Sequence, residues 1–156
     1  SVFGKYAMEM DGIGLELVYG QITGNSGDSG GSSYNDLDEA AYSALITYGN
    51  FAADYRKNEA NDSGRIKNGQ DGNDEGTSIC GTYTMGNIGL GACSVETGFT
   101  DTSNRSNSSE TRTYSAEYQL GGGVKVGVTY FDVEQTANSL IRTDVDGIAT
   151  RLAIGF

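Results

Sequence analysis

The side chains able to do chemistry in this chain are few, and their kinds narrow what it could be. There is no histidine among its 156 residues, which removes Ser-His-Asp and Cys-His catalysis and every His-ligated metal site. Carboxylates are plentiful. Glu9 and Glu16 share one face of the first hairpin but stand at different levels. Nothing near them offers a nucleophile or an apolar pocket, so no acid–base pair is expected, and with it no enzyme. The acidic loop GQDGNDEG, with Asp71, Asp74 and Glu75, offers oxygens of the kind Ca²⁺ takes. It lacks EF-hand spacing, and a charged, solvated loop accounts for the same residues. Gly121-Gly122-Gly123 follows one strand and opens another, so no helix N-terminus is there to hold a phosphate. Cys80 and Cys93 flank Gly86-Asn87 symmetrically. A hairpin turning there sets them opposite each other as a non-hydrogen-bonded pair, whose Cα atoms approach to about 4.5 Å. In an exported chain a disulfide between them is expected.

What remains is charge on a wall, and the wall is built from hairpins. KYAMEMDGIGLELVY, from Lys5 to Tyr19, is two alternating runs joined by Asp11-Gly12, a strong hairpin turn. Folding there pairs Met10 with Ile13, Met8 with Leu15 and Tyr6 with Leu17, so one face is continuously apolar. The same pattern returns about Gly49-Asn50, about Gly86-Asn87 and across Gly121-Gly122-Gly123. The expected hairpins span 2–20, 41–57, 77–96 and 112–133, and a final strand spans 145–156. Opposite the apolar stripe stand Lys5, Arg56, Lys125 and Arg151, with Glu9, Glu16, Asp54 and Glu117. These line a polar face with balanced charge, so the overall net charge of −11 does not set the sign of its field. Phe3, Val18, Leu45 and Phe131 fall on that polar side as exceptions, and packing beneath folded-in loops would explain them.

Turns that close a hairpin have two or three residues, while connections between hairpins are long and polar. In an antiparallel meander these lie at opposite ends of the sheet, which is the mark of a transmembrane up-and-down β-barrel. The aromatics agree: Tyr48, Phe51 and Phe156 lie at the short-turn end, and Tyr19, Tyr42, Tyr55, Tyr114 and Tyr130 lie toward the long loops. Two such girdles suit the two interfaces of a bilayer. No apolar run approaches the roughly 18 residues of a membrane helix, but a β-strand crosses with about 9–11 alternating ones. The acidic balance argues against a nucleic-acid surface.

AEYQLGGGVKVGVTYFD and the closing RLAIGF resemble the C-terminal half of a general-diffusion porin of Gram-negative bacteria, in the style of the α-proteobacterial members. The resemblance implies an outer-membrane, trimeric, sixteen-stranded, water-filled channel for ions and small hydrophilic solutes, in contact with lipid and lipopolysaccharide. It makes Phe156 the signal read by the barrel-assembly machinery. It also places the constriction loop in a preceding half. Nine strands are an odd number for a barrel that closes antiparallel, and seven more in front would complete sixteen. Two other readings stand beside the porin: a non-conducting surface barrel whose loops bind a partner, and a secreted soluble β-protein with Ca²⁺ in its loops.

Overall fold

The computed structural model describes residues 1–27, 33–61, 63, 73–100, 106–137 and 140–155. They form nine strands: β1 (Val2–Met10), β2 (Ile13–Gly24), β3 (Leu37–Tyr48), β4 (Phe51–Asn61), β5 (Asn73–Met85), β6 (Ile88–Thr100), β7 (Ser106–Gly121), β8 (Val124–Ala137) and β9 (Leu140–Ile154). They make one sheet in chain order, each strand antiparallel to the next. β1 and β9 do not pair with each other, and the sheet is not closed.

Turn chemistry sets the register. Asp11 and Gly12 both take positive φ (52° and 78°), the conformation of a type I′ hairpin. That turn fixes Met10 opposite Ile13, Met8 opposite Leu15 and Tyr6 opposite Leu17. Gly49 and Gly86 begin the next two turns at φ 54° and 58°, with Asn following each. The fourth hairpin departs from simple counting. Gly121, rather than Leu120, pairs with Val124, and the register shifts between Gln119 and Gly121, so Leu120 is an extra residue in a bulge.

At the other rim the strands run further than alternation of apolar residues suggests. β2 continues to Gly24, β4 to Asn61 and β6 to Thr100, while β7 begins at Ser106. β8 ends at Ala137 and β9 begins at Leu140. The polar stretch around 135–144, expected as a loop, therefore belongs mostly to two paired strands.

No hydrophobic side chain among the described residues is buried. A folded chain in water cannot leave its apolar surface in one sheet face without a core to cover it. Here that face carries Met8, Met10, Leu17, Ile46, Leu90, Val128, Leu152 and Ile154, all exposed. Along β8 exposure alternates. Val126, Val128 and Tyr130 are exposed, whereas Lys125, Gly127, Thr129 and Phe131 are half-buried. The sheet thus curves with its polar face inside and its apolar face outside.

Candidate functional site

The inner face is assembled row by row through strand pairing. Ala7, Glu16, Leu45, Asp54, Cys80, Cys93, Thr113, Phe131 and Gly147 make one continuous row from β1 to β9. The same parity puts Lys5, Glu9, Arg56, Glu117, Lys125 and Arg151 on this face. Between them stand mostly Gly, Ala, Ser and Thr, which leave the charged side chains unpacked.

Most of these charges are paired. Lys5 Nζ lies 2.9 Å from Glu16 Oε2, Arg56 Nε 2.8 Å from Asp54 Oδ2, and Lys125 Nζ 3.1 Å from Glu117 Oε1. Solvent-accessible pairs of this kind add little stability, in the range of about 0–1 kcal/mol, so what they shape is the local field. Among the described residues Glu9 and Arg151 have no ion-pair partner.

Cys80 and Cys93 are joined in a disulfide across β5 and β6, with Cα atoms 4.1 Å apart. The crosslink lies on the inner face, in register with Asp54 on one side and Thr113 on the other.

The apolar exceptions have a local cause in two cases. The ring of Phe131 covers the backbone of its cross-strand partner Gly147, and Phe3 stands beside its partner Gly20. An aromatic ring laid over a glycine fills the gap that the missing side chain leaves in a sheet face. Val18 and Leu45 pair with Ser43 and Asp54 on the same face.

On the outer face the aromatic belts follow the strand tilt. Tyr19 and Tyr42 are cross-strand neighbours with ring centroids 5.3 Å apart, and Tyr114 and Tyr130 are neighbours at 6.4 Å. Tyr55 lies one row nearer the short turns than Tyr42, and Tyr114 one row nearer again. A level belt on tilted strands must step in this way. Near the short turns, Tyr48, Phe51 and Tyr83 form a single row, and Tyr118 lies one row further toward that rim. Tyr83 and Tyr118 were absent from the girdles expected from sequence, though their parity in the strand marks them.

Beyond Tyr55 and Tyr114 the outer face turns charged within one or two rows. Lys57 pairs with Glu59, and Arg112 Nη2 lies 2.7 Å from Glu110 Oε1. The hydrogen bond from Lys57 to Glu59 raises the lysine pKa above its ordinary value. This is where the lipid-compatible surface stops.

The calcium candidates do not converge. Asp74 and Glu75 are adjacent residues of β5 rather than loop residues, so they point to opposite faces of the sheet. Asp71 and the terminal Phe156 lie outside the described residues. Among the described residues no cluster of three or more His, Cys, Asp or Glu side chains could hold a metal ion.

No protein-family profile matches the chain, and no curated protein sequence does either. Solved structures share its fold, among them two of outer membrane proteins. The in-vitro folded OmpT, an outer membrane protein of Vibrio cholerae, superposes with a TM-score of 0.62 at 17% identity, over 96% of this chain and 47% of that one. A loop L8 deletion mutant of OmpT gives 0.60 at 18% identity, over 96% and 49%. The chain spans about half the length of these structures. At that identity the likeness shows the fold: these nine strands are built as a section of an outer-membrane-type β-barrel wall.

Proposed function

We propose that the protein is an outer-membrane porin, whose wall encloses a water-filled path for passive diffusion of ions and small hydrophilic solutes. One observation carries this reading. Among the described residues nothing apolar is buried, and between the aromatic belts most apolar side chains lie on the outer face while the charged ones lie on the inner face. Such a sheet is stable only with lipid on one side and water on the other. Small residues dominate the inner face, which suits an open lumen, since a plugged barrel is filled with larger packed side chains.

The mechanism requires no covalent chemistry. A polar wall lets solutes keep their hydration, the bore excludes by size, and charged side chains bias which ions enter. The outer-membrane fold of the OmpT structures supports the location. Lipid and lipopolysaccharide would then meet the outer face, and a homotrimer is the assembly that goes with this reading. Liposome swelling tests it. Vesicles carrying the full-length folded protein should swell in isotonic solutions of small sugars, at rates that fall as the sugar grows. Swelling no faster than in protein-free vesicles, with insertion verified, would favour the non-conducting surface barrel instead.

A further inference from the structure

We propose that Arg151 and Glu9 bias the ion selectivity of the channel between the aromatic belts, while the ion pairs Lys5–Glu16, Arg56–Asp54 and Lys125–Glu117 of the same inner wall largely cancel. Glu39 and Asp74 share that face but lie beyond the belt, toward the long loops. The inference rests on the porin reading and assigns roles within it. Lys5, Arg56 and Lys125 each have a carboxylate within 3.1 Å. A cation and an anion that close act on a passing ion as a dipole, whose field decays faster with distance than that of a single charge. Arg151 and Glu9 have no such partner among the described residues.

Their surroundings are alike in one further respect. Arg151 stands directly across from Gly127, and Glu9 directly across from Gly14. Arg151 is also flanked on its own inner-face stripe by Ala149 and Ala153. With no side chain opposite, each charge projects into the aqueous side of the wall without a neighbour to neutralise it. Both residues lie within the strands, below the long-loop rim, where every permeating ion must pass.

The test is the reversal potential of the full-length protein in a planar bilayer under a KCl gradient. Arg151→Gln should move the anion-to-cation permeability ratio about twofold or more toward cations, and Glu9→Gln should move it the other way. Arg151→Lys, which keeps the charge, should restore the wild-type ratio and so exclude a folding artefact. The double variant Lys125→Gln/Glu117→Gln removes one charge of each sign and should leave the ratio close to wild type. The shift in Arg151→Gln should shrink between about 0.1 M and 1 M salt, as the Debye length falls from about 10 Å to 3 Å. A conducting Arg151→Gln channel with wild-type selectivity would overturn the proposal, as would a double variant shifting as far as Arg151→Gln. A wild-type protein that inserts without conducting would instead remove the porin reading itself.

Discussion

The ring of Phe131 in β8 lies over the backbone of Gly147, its direct partner in β9, on the polar inner face of the sheet. A Cβ built on Gly147 would approach the ring to 2.7 Å at Cζ, closer than carbon atoms tolerate. The pair explains how a large aromatic residue is accommodated on a face otherwise made of small and charged side chains. It also ties β9 to the sheet through side-chain packing as well as through the backbone ladder.

Gly147→Val should therefore displace the ring, and Phe131→Ala should uncover the glycine backbone. Each should lower stability by about 1 kcal/mol, the scale of a cross-strand pair. Because both changes break one contact, the double variant should cost clearly less than their sum. Denaturant unfolding of the folded protein in liposomes measures this. Full additivity would show that the two residues act independently.

Adjacent residues of β8 make the strongest contrast between the two faces. Val126 is on the outer face and Lys125 on the inner one. Val128, on the same outer face, lies midway between the belt rows of Tyr118 and Tyr130. Val128→Arg places a charge in lipid near mid-bilayer and should destabilise the protein by about 2–4 kcal/mol. Lys125→Glu should leave the barrel folded and move selectivity toward cations, because the new carboxylate stands beside Glu117 without its lysine. Unfolding in liposomes reads the first effect, and reversal potential the second. The reverse pattern would mean that the faces are exchanged.

The disulfide between Cys80 and Cys93 closes a loop with a sequence separation of 13. A loop of that length stabilises by about 3 kcal/mol through restriction of the unfolded chain. Denatured, unreduced protein should show no titratable thiol. Replacing both cysteines by serine should lower the denaturation midpoint, and reductant should then have no further effect on it. Two free thiols before reduction would contradict the crosslink.

Alternation made the membrane-embedded part of the fold legible, and its absence hid the rest. Between the aromatic belts one face meets lipid and the other water, so Met8, Leu15, Ile46 and Val128 repeat with period two and give the register directly. Past Tyr55 and Tyr114 both faces meet water. Outer-face residues such as Lys57, Glu96, Glu110 and Glu134 are then as polar as the inner-face Asn58, Thr97, Ser109 and Gln135, and the strand signal vanishes while the hydrogen-bonded ladder continues. That is why Asp74 and Glu75 read as a loop. The bulge at Leu120 is hidden for another reason: three successive glycines allow more than one turn, and the choice between them lies in backbone geometry. The pairing of Cys80 with Cys93 followed from counting outward from one turn. Ion pairs such as Lys5–Glu16 and Lys125–Glu117 run diagonally between strands, and no spacing along the chain announces them.

The most direct test of the account is single-channel recording with the full-length protein, folded into a planar lipid bilayer in KCl. A water-filled barrel predicts discrete, ohmic conductance steps that grow with salt concentration, since bulk-like ions carry the current through a hydrated lumen. A protein that inserts, resists protease in the membrane and yet produces no conductance steps would contradict the channel. The strands would then be the wall of a closed barrel, and the charged inner face a lining that no ion crosses.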